Sequence, residues 1–325
     1  MKSNFTKFIG LLSILLVLTI GILTGCNTST AEPKKEKTSE QTAKKEAFPM
    51  TITDDEKEKV TIEKKPEKIV SITPSTTEIA FALGLGDQIV GVSDFDNYPK
   101  EALKKEKVGA QDINVEKILS LQPDLALLDD FHYKNHAEVI KQLKDAGITV
   151  VIINSSKNTF DQVYDSIELL GRATGTSQKA ESIIKDMKDR MEDVKEKAAK
   201  VNEQKRVWVE VAPQPDIYTT GKGTFMQEML DTIGAVNVAE GQQGWVKMNE
   251  EEAVKFNPDV VIVTYGDYVK NPDQQVLNRK GWSEVPAVKN KQVFNVNSDT
   301  VTRPGPRLVE GVETLGKFIY PDIFK

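Results

Sequence analysis

The 325-residue sequence predicts an α/β protein of two doubly wound α/β lobes bridged by one long helix. Three observations predict it. Short apolar runs alternate with helical patterns from residue 68 to 154, the same alternation resumes after Arg206, and one uninterrupted amphipathic helix separates the two stretches. Strands alternating with helices of about ten residues point to βα units and a mostly parallel sheet.

The chain begins MKSNFTKFIGLLSILLVLTIGILTGC. Lys2 and Lys7 supply a basic start, an apolar run spans 8–23, and Leu23-Thr24-Gly25-Cys26 closes it, so residues 1–25 read as a secretory signal. The segment resembles a bacterial lipoprotein signal. That likeness implies that Cys26 is diacylated, becomes the mature N-terminus and anchors the protein to the membrane. Two acyl chains hold a protein stably at a membrane surface, whereas one is marginal. Residues 26–50 form the tether, since 27–47 contain no large apolar residue with which to build a core. The single cysteine excludes an intrachain disulfide framework and a cysteine-rich zinc module. With 39% hydrophobic and 28% charged residues the chain is neither wholly disordered nor a polytopic membrane protein. A net charge of −6 argues against nucleic acid as a partner.

The N-terminal lobe is expected over 51–174. KIVSI (68–72) precedes a helix near 75–84, and IVGVS (89–93) follows. A helix near 114–122 leads into LALLD (125–129), and another near 135–146 ends at Gly147 before TVVIIN (149–154). The bridge is expected over 175–205. There Ala180, Ile183, Ile184, Met187, Met191, Val194, Ala198 and Val201 recur at spacings of three and four with no Gly or Pro. This is one helix of about 25 residues, roughly 40 Å long. The C-terminal lobe is expected over 206–325, with RVWVEV (206–211), helices near 224–233 and 249–257, VVIVTY (260–265), QVFNVN (292–297) and a last helix near 307–319.

The two lobes echo each other. Residues 113–125 (INVEKILSLQPDL) match 248–260 (MNEEEAVKFNPDV) at one offset, with Asn, Glu, Pro and Asp coinciding. Each Asn is a natural N-cap, and each Pro-Asp ends the helix before a buried strand. Glu116 and Glu251 fall in the first turn, off the apolar stripe, and are expected to face solvent.

With these motifs the chain resembles the solute-binding proteins of bacterial ABC importers for cobalamin, siderophores and haem, the class whose lobes are joined by a rigid helix. The likeness covers about residue 66 to the end. It rests on Pro66-Glu67-Lys68-Ile69-Val70-Ser71, Thr76-Thr77-Glu78-Ile79, both Asn-x-Glu…Pro-Asp copies, Thr219-Thr220-Gly221 and Ser298-Asp299. It implies a monomer that carries no cofactor and captures cobalamin or a related corrinoid for delivery to an ABC permease, with a ferric siderophore or haem as the alternative. It also implies that Glu116 and Glu251 dock onto the permease, a role suited to two exposed carboxylates held apart by a stiff helix. The ligand is expected between the lobes at the C-terminal ends of the strands. Loop residues expected there are Phe95, Tyr98, Asp129, Phe131, Tyr218, Trp245, Tyr265, Asp299 and Arg303. Within the class the cobalamin binder is the nearest likeness, through the loop Ser93-Asp94-Phe95-Asp96-Asn97-Tyr98-Pro99, through Trp245, and through Asp299 with Arg303. Phe95, Tyr98, Tyr218, Trp245, Asp299 and Arg303 are thus the implied ligand contacts. Two tryptophans that this likeness expects in the first lobe are here Ala110 and Asp129.

Other chemistry fits less well. His132 and His136, the only histidines, are spaced to share a helix face as metal ligands would, with Asp129 and Asp130 nearby. Asn135 reads as an N-cap, however, which puts His132 in a solvated loop and makes the spacing accidental, so no metal site is expected and a metal-ion receptor using His132 ranks third, after the corrinoid and siderophore readings. Gly84-Leu85-Gly86 follows a helix rather than a strand, and Thr219–Thr224 lacks the first glycine of a phosphate loop. No nucleophile–base arrangement is evident, and the chain is read as no enzyme, with a hydrolase as the rival from another class.

Overall fold

The computed structural model describes residues 46–325; the predicted signal, Cys26 and most of the tether lie outside the described residues. The described chain enters through an antiparallel hairpin, β1 (Met50–Thr53) and β2 (Lys59–Ile62). Asp54 holds its turn, because the carboxylate accepts the backbone N–H groups of Glu56, Glu58 and Ile152. Next come β3 (Ile69–Ser71), α1 (Pro74–Ala82), β4 (Ile89–Val92), β5 (Glu106–Lys107), α2 (Val115–Leu121), β6 (Leu125–Leu128), α3 (Asp130–Asn135), α4 (Ala137–Asp145) and β7 (Thr149–Ile152). Their five strands form one parallel sheet in the order β5-β4-β3-β6-β7. α5 (Phe160–Thr174) runs from a Thr159 cap to Gly175 in the left-handed region.

The bridge, α6 (Ser177–Ala198), has 22 residues rather than about 25, which makes it roughly 33 Å long. Its periodic pattern continues to Val201, but the last three residues close in short-range turns, with Lys200 and Val201 N–H donating to the Lys197 and Ala198 carbonyls. α5 and α6 pack closely at Gly171, where a Cβ would stand 2.6 Å from the Ala180 Cβ. The second lobe comprises β8 (Arg206–Glu210), β9 (Ile217–Thr220), α7 (Phe225–Thr232), β10 (Val236–Asn237), β11 (Trp245–Met248), α8 (Glu250–Lys255), β12 (Val260–Val263), α9 (Pro272–Leu277), α10 (Pro286–Lys289), β13 (Val293–Asn295), α11 (Ser298–Thr302) and α12 (Leu308–Ile319). Its parallel sheet has the order β10-β8-β12-β13, and β9 pairs with β11 in a separate antiparallel ribbon.

Each sheet is buried on both faces, and the strands alternate accordingly. Leu125 and Leu127 face one core while Ala126 and Leu128 face another; Val207 and Val209 are opposed to Trp208 in the same way. The outer faces of the two sheets have separate cores. The inner faces do not. Leu125, Leu127 and Val151 of the first lobe and Val207, Val209 and Ile262 of the second belong to one continuous apolar cluster, joined through Met187, Met191 and Val194 of α6 with α7 and α12. All eight apolar positions of the predicted bridge stripe lie in this cluster or pack against it. Burying a large aliphatic side chain contributes about 1.5–3 kcal/mol, so a core shared by both lobes resists their separation. Arg190 adds a two-pronged contact from α6 to Glu313 of α12, at 2.9 Å for each bond.

Candidate functional site

In each sheet the chain reverses direction beside its first strand, between β3 and β6 in the first lobe and between β8 and β12 in the second. Ligands of open α/β sheets bind outside the strand C-termini at such points. In the first lobe that position is occupied by Asp129, which caps α3 and accepts the His132 N–H. Its other oxygen accepts the Thr73 and Ser155 hydroxyls. The His132 ring, 3% exposed, lies between two acceptors: Nδ1 is 2.5 Å from the Asp129 carboxylate and Nε2 is 2.8 Å from the Ala110 carbonyl oxygen.

The expectation for this histidine therefore changes. FHYKN is helical because Asp129, not Asn135, is the cap; Asn135 ends α3, and the next helix starts after His136. His132 is buried rather than solvated, and with both ring nitrogens already bonded it has no lone pair to offer a metal. Burial works against its charge, but Asp129, the Ala110 carbonyl and Asp130 outweigh that and raise its pKa. Burial likewise opposes ionisation of Asp129, yet the His132 and Ser155 bonds hold its carboxyl below the ordinary range. Phe131 stands outside this pair, 40% exposed, its ring edge-on to His132 with centroids 5.6 Å apart. Ala110 and Asp129, the two positions where the likeness expects tryptophan, are thus linked through one imidazole.

The loop after β4 is organised by Asp96. Its buried carboxylate accepts Ser93 N–H and Oγ–H, while Lys107 Nζ donates to the Ser93 and Asp96 carbonyls. Burial pushes the Asp96 carboxyl up, against these bonds and the Lys107 charge. The result turns Phe95 outward, 66% exposed. In the second lobe Tyr218 and Trp245 sit on the ribbon, where Tyr218 faces Lys247 and Thr220 faces Trp245. Period-two alternation puts all four on one face, with Ile217 and Met248 buried on the other. Tyr265 differs from the expectation of a loop contact: it is buried, and its hydroxyl donates to Glu210 at 2.6 Å. That fully buried carboxylate also accepts both Arg279 Nη groups and the Trp208 indole N–H. Burial and the Glu210 charge push the Tyr265 hydroxyl pKa up. The exposed aromatic nearby is Tyr268, which sequence reasoning missed.

Asp299 and Arg303 are brought together at 2.7 Å, but at the junction of the lobes. Arg303 Nη1 also donates to Asn97 Oδ1, and Asn97 Nδ2 donates to Asp299. Alongside, Arg307 reaches across to Glu78 of α1 at 2.6 Å, with its guanidinium 3.6 Å from the centroid of the Tyr98 ring. Burial works against the Arg307 charge, and Glu78 more than offsets this. Gly305 permits the close approach, since a Cβ there would stand 2.9 Å from Glu78 Oε1. Tyr98, Asp299 and Arg303 therefore meet in one inter-lobe clamp. Glu78, Asn97 and Arg307 complete it without having been singled out individually; the signals were the TTEI motif and the Arg-Pro-Gly-Pro-Arg run at 303–307. A cavity of about 990 Å3 opens beside the clamp against α6, lined by Phe81, Tyr98, Ile183, Met187, Arg190 and Arg307 among others. None of Phe95, Tyr218 and Trp245 lines it.

The duplicated segments fold alike. Asn114 Oδ1 accepts Lys117 N–H at 2.9 Å and Asn249 Oδ1 accepts Glu252 N–H at 2.8 Å. Gln122 and Asn257 both turn into the left-handed region before the Pro-Asp pair. Asp124 then accepts Lys68 N–H, and Asp259 accepts Arg206 N–H, each at the entry to the first parallel strand of its lobe. Glu116 and Glu251 are exposed at equivalent places in the first turns of α2 and α8.

Comparison with known proteins agrees with this geometry. The family model described as periplasmic binding protein matches residues 69–300. The chain is 50% identical over 312 residues to an uncharacterized ABC transporter substrate-binding lipoprotein of Bacillus subtilis, covering 95% of this chain and 96% of that one. It is 30% identical over 259 residues to a vitamin B12-binding protein of Vibrio cholerae, covering 78% of this chain and 89% of the relative. Among solved structures, a possible iron-binding periplasmic solute-binding protein of Staphylococcus epidermidis superposes with a TM-score of 0.70 at 34% identity, covering 79% of this chain and all of that one (100%).

Proposed function

Because the chain belongs to the periplasmic binding protein family, we propose that it is the receptor for a ferric siderophore, held between the lobes and passed to an ABC permease. It is an extracytoplasmic, membrane-anchored solute-binding component of an ABC importer, not an enzyme. The observation that carries the ligand reading is the wall of the first lobe. At the two positions where the likeness expects tryptophan, the Ala110 carbonyl and the Asp129 carboxylate are instead both bonded to the buried His132 imidazole, so no flat stacking face for a corrin ring is offered there. The exposed aromatics are Phe95 and Phe131 in the first lobe and Tyr218, Trp245 and Tyr268 in the second. A compact chelate with an apolar shell can be gripped by such separate aromatics without a flat stacking face. The iron-binding name of the Staphylococcus epidermidis relative supports the same choice. Cobalamin is the second reading, favoured by the shared ribbon face of Tyr218 and Trp245 and by the Vibrio cholerae relative. Glu116 and Glu251 are the docking carboxylates in either reading.

The chain has three tryptophans, and Trp208 and Trp282 are fully buried, so Trp245 reports on the cleft. The full chain in detergent is titrated with hydroxamate and catecholate ferric siderophores, hemin and cyanocobalamin. Saturable quenching by a ferric siderophore, lost in Trp245→Phe, is expected. Saturation by cyanocobalamin alone would replace the first reading with the second.

A further inference from the structure

The buried His132 has a bonding pattern that only one protonation state satisfies fully. A backbone carbonyl can only accept, so Nε2 must carry a proton to bond Ala110 at 2.8 Å. Asp129 is already an acceptor from the His132 backbone N–H and from the Thr73 and Ser155 hydroxyls, so Nδ1 must carry one too. We propose that His132 is a positioning residue of the cleft: as an imidazolium it pins the loop around Ala110 to the C-terminal edge of the sheet and so sets the presentation of Phe131 and of the helix that carries Glu116.

The connections are short. Ala110 N–H donates to the Asp112 carbonyl and Asn114 N–H to the Val108 carbonyl, so the pinned residue belongs to a closed loop ending at the cap of α2. On the other side Asp129 gathers the entry to α1 through Thr73 and the segment after β7 through Ser155. The ionisable groups facing the ring are Asp129 and Asp130 at the start of α3 and His136 at its end, 5.8 Å away between centroids. Asp130 is itself paired with Lys134 at 3.1 Å. The flanking loops contribute the Ala110 carbonyl and the Thr73 and Ser155 hydroxyls, none of which titrates in the histidine range. Loss of one proton from the ring therefore costs either the Ala110 bond or the Asp129 bond, and the loop is released from one of its anchors. Phe131, packed edge-on to the ring, loses a fixed backing.

The role in ligand capture rests on the reading of the cleft given above, whereas the brace itself does not, and the test separates them. The full chain is labelled with 15N in its two histidines, and His132→Gln assigns the signals. The His132 ring is expected to titrate above the ordinary histidine midpoint of about 6.5, with both nitrogens protonated below it. Protection factors of the Ala110 and Asn114 amides are then followed against pH. They are expected to fall about tenfold or more as the ring titrates, the loss of one charge-assisted hydrogen bond. In His132→Gln the same amides are expected to be weakly protected at every pH, while the Val238 amide of the other lobe keeps its protection. A singly protonated ring at about pH 6, or protection without a step at the His132 midpoint, overturns the proposal. Should the variant fail to fold, the titration of the unmodified chain decides alone. Failure of every siderophore, hemin and cyanocobalamin to bind would refute the ligand reading while leaving the brace measurable.

Discussion

Glu78 offers the most direct test of how the lobes are held. Its side chain is 3% exposed on α1 of the first lobe, and its two neighbours of opposite charge, Arg307 at 2.6 Å and Arg303 at 3.8 Å, belong to the second. Glu78→Ala leaves two guanidinium groups, each 12% exposed, short of their shared counter-charge. Breaking a buried pair by removing one partner costs about 3–5 kcal/mol. Asp299 remains beside both arginines, and Arg307 lies over the Tyr98 ring, so the lower end, about 3 kcal/mol, is expected here. Arg307→Ala is expected to cost less, since Glu78 keeps Arg303. The double variant should cost less than the sum of the two by at least about 1.5 kcal/mol, the coupling of groups in one network. Urea unfolding followed by two probes reads more than the total. All three tryptophans lie in the second lobe, whereas far-ultraviolet circular dichroism reports both. A core that runs through both lobes predicts coincident transitions in the unmodified chain, and a broken clamp is expected to separate them. Single variants each costing under about 1 kcal/mol and adding without coupling would refute the clamp.

Other substitutions probe separate parts of the structure. Glu210→Ala strands Arg279 in the second core and should cost about 3–5 kcal/mol by urea titration, whereas Glu210→Leu with Arg279→Met should recover only part of that, because the buried Trp208 indole and Tyr265 hydroxyl still lose their acceptor. Gly305→Ala places a methyl against the Glu78 carboxylate and should cost on the order of 1–3 kcal/mol, with the loss abolished in a Glu78→Ala background. The folded-state pKa of His132 is raised, so its stabilisation is fully present below the unfolded value of about 6.5 and is lost as pH rises through the folded value. The stability difference between the unmodified chain and His132→Gln should therefore shrink on going alkaline; a difference that grew with pH would contradict the assignment. Replacing Glu116 and Glu251 by alanine should spare ligand binding and stability and depress transport, and loss of binding would exclude the docking role.

Much of this was legible because it depends on local periodicity. The short apolar runs of the parallel strands, the three-and-four stripe of the bridge and the Asn caps of the duplicated helices are properties of short windows, and the structure reproduces each as an element. The hairpin of β1 and β2 and the ribbon of β9 and β11 escaped notice because four-residue strands with polar alternation carry little signal. The misread helix start at Asn135 has a definite cause. Asp129 and Asn135 are both good caps, and the choice between them depends on Thr73 and Ser155, residues far away in the chain that help fix the Asp129 side chain.

By itself the sequence determined that this chain forms two α/β lobes on a stiff helix and presents a matched pair of first-turn glutamates, since capping and hydrophobic periodicity act over a few residues. Only the tertiary structure decided what the polar residues do. Asp299 and Arg303 stand about 200 residues from Asn97 in the chain; the sequence offers them as implied ligand contacts, and only the fold sets them against it. His132 reads as a wet loop residue until burial between a carboxylate and a carbonyl removes water from the competition and makes its charge part of the architecture. A side chain's type is written in the sequence, but its partner and its dielectric surroundings are set by which distant segments meet.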